Sequence, residues 1–126
     1  MKKSNKKGLK LSTVKRLWSE INDKVFDGEL SEPVLRITRA NRYFGKCSVV
    51  DSSKSAKITI MVSGRMHRDT CHALIDTLAH EMIHQWQYEN GYRYNDNHDE
   101  TFTQWLPIVK EKLGIDLYES WNESFG

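Results

Sequence analysis

Apolar residues recur at three- and four-residue steps through Val14, Leu17, Trp18, Ile21, Val25 and Phe26. That spacing predicts a helix with one buried face, capped by Ser12 and ended by Asp27–Gly28. The pattern then shifts to alternation. "VLRIT" (34–38), "GKCSVVD" (45–51) and "AKITIMVS" (56–63) each predict a strand, the last with Ile58, Ile60 and Val62 on one side. The short polar link "SSKSA" predicts an antiparallel hairpin between the second and third strands. A helical run, "TCHALIDTLAHEMIHQWQYEN", follows, with Asp69 as N-cap and Gly91 as its stop. Leu74, Leu78, Met82 and Ile83 form its buried stripe. After the polar loop "YRYNDNH", a last helix starts near Asp99 and turns Phe102, Trp105, Leu106, Val109 and Leu113 inward. Pro107 has no N–H to offer the Thr103 carbonyl, which predicts a kink or interruption there. Grouped strands with helices outside the group give an α+β fold, the helices lying on one face of a small antiparallel sheet.

The length of 126 residues suits one domain with one core, and 38% hydrophobic content is enough to build it. Residues 1–10, with five lysines and one leucine, are expected to form a flexible basic tail, leaving residues 11–126 as the domain. No apolar run approaches the roughly 20 residues of a membrane span, and none follows the lysines as in a secretory signal. Cys47 and Cys71 form no Cys-x-x-Cys pair, which excludes a disulfide framework and a zinc ribbon. A cytoplasmic monomer is the simplest expectation.

The net charge of +2 hides an asymmetry. Residues 33–68 carry eight basic side chains and one acid, whereas residues 69–126 carry three basic and eleven acidic ones. A basic middle can mark a face for a polyanion such as DNA, or can attract the acidic part within the fold. Arg36, Arg39, Arg42, Lys46, Lys54 and Lys57 are the candidate phosphate contacts, and Tyr43 and Phe44 could stack on unpaired bases or fill the core.

The chemistry concentrates in "LAHEMIHQW", residues 78–86. Residues four apart on a helix differ by about 40° in direction and about 6 Å in height, so His80 and His84 can grip one ion. Imidazole nitrogen suits Zn²⁺. Glu81 points about 100° away from His80 and can reach a water beside the ion without replacing it, as a general base does. A catalytic zinc takes three protein ligands and keeps one position open. His98, returned by the turn at Gly91, is the best third ligand, with Asp96 and Asp99 as substitutes. His67 and His72 have weaker claims as ligands; His72 is expected to cap or pack, and Cys71 to be a small buried residue. Tyr92, Arg93 and Tyr94 are candidates for stabilising an oxyanion.

"INDKVFDGELSEPVLRI", the basic hairpin, "LIDTLAHEMIHQWQ" and "NHDETF" together resemble the SprT-like metallopeptidase family, over about residues 12–114. That family includes the Spartan proteases, which cut proteins crosslinked to DNA. The resemblance implies a minimal zincin-like fold, one zinc on His80, His84 and His98, and Glu81 as catalytic base. It also implies DNA-associated proteins as substrates. Asp99 stands where many relatives have glycine, and the chain lacks the cysteines of a C-terminal zinc ribbon. Any hold on DNA then falls to the basic strands and the lysine-rich start.

The expectation is therefore a zinc metalloendopeptidase acting on a protein substrate, with DNA as partner and no membrane. The strand "KITIMVS" is a candidate edge for a substrate peptide to pair with. Two rivals are a peptidase of the ImmA type cleaving a specific repressor, and a non-catalytic DNA-binding module with structural zinc. A structural zinc has no use for Glu81 and fills its fourth position with protein.

Overall fold

The computed structural model describes residues 8–51, 56–64, 67, 71–92 and 98–117. Helix α1 spans Leu11–Val25. The Lys10 carbonyl accepts from the Thr13 and Val14 amides, so the helix starts before Ser12, which lies within it and is not its cap. The inward residues are Val14, Leu17, Trp18, Ile21 and Val25, as their spacing requires, and Phe26 is buried beyond them. Asp27 (φ 57°) and Gly28 (φ 73°) turn the chain out of the helix. The buried Asn22 then holds the next loop: its amide donates to the Leu30 carbonyl and its oxygen accepts from the Leu30 N–H, both at 3.1 Å.

Strands β1 (Val34–Thr38), β2 (Gly45–Asp51) and β3 (Ala56–Ser63) form one sheet in the order β1-β3-β2. The β2–β3 hairpin is antiparallel, as its short link requires. The sheet as a whole is mixed, because β1 pairs with β3 in parallel. This corrects the all-antiparallel expectation. Six residues, 39–44, separate β1 from β2. Stepping over one strand covers about 10 Å, within reach of six residues, and leaves the centre to β3. The central place suits β3, whose Ile58, Ile60 and Val62 are all buried. β3 is therefore not an edge, and among the described residues β2 is the edge strand beside the next helix.

Helix α2 spans Cys71–Glu89 and lies against β2 and β3. All nine residues from Thr77 to Gln85 are buried, so the helix is enclosed on every side there. Gln85 ties it to α1 and the preceding loop: it accepts from Trp18 Nε1 (3.1 Å) and donates to the Ser31 carbonyl (2.6 Å) and to Glu89 (2.8 Å). Gly91, at φ 88°, ends the helix as expected. The expected cap Asp69 and the first seven residues of the expected tail lie outside the described residues.

The last helical segment is interrupted, as Pro107 predicts. Helix α3 (Glu100–Thr103) is capped by Asp99, and helix α4 (Leu106–Leu113) begins afresh with Pro107 in its first turn, where a missing N–H costs nothing. Trp105 at the break packs on Phe26 and Trp86, with ring centroids at 4.6 and 5.3 Å. No described helix is long and apolar enough to cross a membrane.

Candidate metal centre

Helix α2 presents His80 and His84 one turn apart, and the residue before the α3 cap adds His98. The three imidazoles converge. Ring centroids lie 4.9 Å apart for His80–His84, 4.8 Å for His84–His98 and 5.4 Å for His80–His98. One nitrogen from each falls within 4.8 Å of the others, and the three lie close enough to hold a metal ion. His84 Nε2 and His98 Nε2 are 3.1 Å apart. Tetrahedral donors at about 2.0–2.1 Å from zinc sit about 3.4 Å from one another, so this pair already has the spacing of two ligands.

Phe102 closes the site from below. It is fully buried, and its ring centroid lies 5.0, 4.9 and 4.8 Å from those of His80, His84 and His98. An aromatic floor excludes water from the inner side and stiffens the three rings. By spacing alone Phe102 reads only as a core residue. Its position four residues after His98, on the helix that His98 precedes, is the signal that could have found it.

Glu81 is fully buried, with one oxygen 3.9 Å from His80 Nε2. Neither carboxyl oxygen makes a hydrogen bond to the described residues. Burial pushes this carboxyl well above the usual carboxylate range, and the Lys46 ammonium pulls the other way. The strand β2 covers Glu81. Its thiol Cys47 is buried and pushed up by burial, then by the charges of Glu81 and Glu89, so it is an inert packing group. The buried His80 is pushed well down by desolvation and by its two histidine neighbours, which favours the neutral ring, with a lone pair on one of its two nitrogens. The donor set, three imidazoles beside one carboxyl group, fits a borderline-soft cation such as Zn²⁺.

Of the substitute ligands, Asp99 is engaged elsewhere. Its carboxylate accepts from the Thr101 N–H (2.9 Å) and hydroxyl (2.6 Å), which hold it below its usual range. Asp96 lies outside the described residues, as do Arg93 and Tyr94 among the oxyanion candidates. Tyr92 is exposed and stacks on Trp86 at 5.8 Å. His67 is buried. It bridges the Ser63 carbonyl (2.8 Å) and the Thr77 hydroxyl (2.9 Å), tying the end of β3 to α2. The side chains of Cys71 and His72 lie outside the described residues.

The basic candidates divide. Arg36, Arg39, Arg42 and Lys46 are exposed. The register aligns Arg36, Met61 and Lys46 across the three strands, on the opposite face from the buried row Leu35, Ile60 and Cys47. Tyr43 lies under Lys46, its ring centroid 6.0 Å from Nζ. Phe44 packs edge-on against His67 at 5.6 Å. Lys54 and the Lys57 side chain lie outside the described residues.

The SprT-like family model matches residues 14–119, most of the chain. No curated protein matches it.

Proposed function

The chain belongs to the SprT-like family, and on that premise we propose that it is a zinc-dependent endopeptidase, zincin-like in fold, that hydrolyses DNA-associated or DNA-crosslinked proteins. The observation that carries the proposal is the convergence of His80, His84 and His98 beside a buried Glu81. Zinc on the three histidines would supply a Lewis acid that brings the pKa of water toward 7 and polarises a carbonyl. Glu81 moves the proton. Its carboxylate takes a proton from the water that attacks the peptide carbonyl and passes it to the leaving amine. Phe102 and the enclosed helix keep bulk water from the inner side. Among the described residues β2 has no partner strand on its outer side, and there, next to Glu81, a substrate strand can align.

The DNA part of the proposal rests on the outer face of the sheet. Arg36 and Lys46 flank Met61 there, Arg39 and Arg42 lie on the β1–β2 link, and among the described residues none of the four makes a salt bridge. Charges without an ion pair among the described residues can meet phosphates.

Metal analysis and proteolysis test the reading. One zinc per chain is expected to co-purify, to be lost in His80→Ala and His84→Ala, and to be held more weakly in His98→Ala, where two ligands on one rigid helix remain. Glu81→Gln keeps the shape and the zinc and loses cleavage of an unfolded protein substrate. Zinc unchanged in His84→Ala, or full activity in Glu81→Gln, sinks it.

A further inference from the structure

Gln87 lies one turn beyond the His-Glu-x-x-His segment and is buried. Its amide oxygen is 2.7 Å from His84 Nδ1, and its amide nitrogen is 2.7 Å from Thr101 Oγ1. The Thr101 hydroxyl is in turn 2.6 Å from the Asp99 carboxylate. Four side chains from α2, α3 and the α3 cap thus form one line, His84–Gln87–Thr101–Asp99.

The direction of every hydrogen bond in that line follows from its outer end. An ionised carboxylate only accepts, so Thr101 donates its one hydroxyl proton to Asp99. The hydroxyl then has only lone pairs left for Gln87, which must face it with the amide NH₂. That fixes the amide orientation and turns the Gln87 oxygen toward His84. An oxygen accepts, so His84 carries its proton on Nδ1. Its Nε2 lone pair is left to point at His98 Nε2, 3.1 Å away.

We propose that Gln87, Thr101 and Asp99 are a positioning relay that fixes the His84 tautomer and ring orientation for metal binding. The proposal rests on the metal reading above. The relay also couples the two ligand-bearing segments. Asp99 caps α3 directly after His98, so one carboxylate sets both the approach of the third ligand and the tautomer of the second. Partners that hold the far nitrogen of a ligating histidine typically govern metal affinity by about 10–100-fold.

The test uses the full chain with Thr101→Val, Thr101→Ser and Gln87→Leu, each checked for folding by its melting curve. Long-range ¹⁵N–¹H spectra of the metal-free protein report the His84 tautomer. The wild type and Thr101→Ser are expected to show the Nδ1–H form, and Thr101→Val and Gln87→Leu a mixture. Zinc affinity, measured by competition with a chromophoric chelator, is expected to fall about tenfold or more in Thr101→Val and Gln87→Leu and to be kept in Thr101→Ser. An Nε2–H tautomer in the wild type overturns the relay, as does unchanged zinc affinity in both disruptive variants. A wild type that binds no zinc overturns the metalloprotease reading instead, and the tautomer spectra still decide whether the relay exists.

Discussion

Gly45 lies against Glu81: a Cβ added to this glycine would stand 3.3 Å from Glu81 Cγ and 2.5 Å from Thr77 Cγ2. The first residue of the edge strand is therefore the lid over the proposed base. The absence of a side chain lets β2 close down on α2 and shuts Glu81 away from solvent, the condition that pushes its carboxyl upward.

Gly45→Ala forces β2 and α2 apart, at a cost of about 1–3 kcal/mol for overpacking. The closest obstacle is the Thr77 methyl. Thr77→Ser removes that methyl and keeps the hydroxyl that binds His67. Chemical denaturation of the two single variants and the double variant is expected to show coupling, with Gly45→Ala costing less in the Thr77→Ser background. Strict additivity would mean that the strand and helix do not meet at this point.

A second prediction concerns pH. The Ser63 carbonyl can only accept, so His67 donates to it through Nδ1 and receives the Thr77 hydroxyl proton at Nε2. The ring is held neutral, and burial pushes its pKa below the ordinary value of 6.5. The unfolded chain therefore binds a proton first as pH falls. The stability from burying this imidazole is fully present above about 6.5 and is lost as pH falls through the lower folded value. With metal removed by chelator, His80 adds a slope of the same sign, since its value is also lowered. The urea midpoint of the wild type is expected to drop more between pH 7.5 and 5.5 than that of His67→Gln. Equal drops would place the slope elsewhere.

The parts of the fold that periodicity governs were legible in the sequence. The α1 face from Val14 to Phe26 is buried as spaced, all three strands fall at their expected bounds, and Pro107 breaks the last helix. Strand order was not legible. Alternation says which side of β1 is buried and nothing about which neighbour it pairs with, so the parallel β1–β3 pairing and the edge position of β2 required the fold. At the site, His80, Glu81, His84 and His98 declared themselves by residue type and spacing. Gly45, Gln87 and Phe102 did not, because each acts through a contact between elements. A glycine, an amide and a phenyl ring carry no chemical signature until the strand, the helix and the cap that they join are brought together.

The last prediction concerns the outer face of the sheet. Arg39 and Arg42 lie on the β1–β2 link, and Lys46 lies on β2 in register with Met61 and Arg36. All are exposed. Phosphate contacts from such a face read no sequence and release counterions, so binding to single-stranded DNA is expected to be sequence-independent and steep in salt. Each lost contact lowers the slope of log affinity against log salt by about 0.7 for single strands, so reversing Arg39, Arg42 and Lys46 to Glu is expected to flatten it by about 2. Tyr43, beside Lys46, can add base stacking of about 1–3 kcal/mol, whereas Phe44 is occupied with His67. Tyr43→Ala is therefore expected to weaken binding with little change in slope. Removing residues 2–7, which carry four lysines, lowers affinity further. Zinc content should be intact throughout, and DNA-stimulated cleavage should fall with affinity while basal peptidase activity is kept. Fluorescence anisotropy over a salt series measures all of this. An unchanged slope in the triple reversal would make the basic face an ordinary solvated surface, and would favour a peptidase that recognises one specific repressor over one directed by DNA.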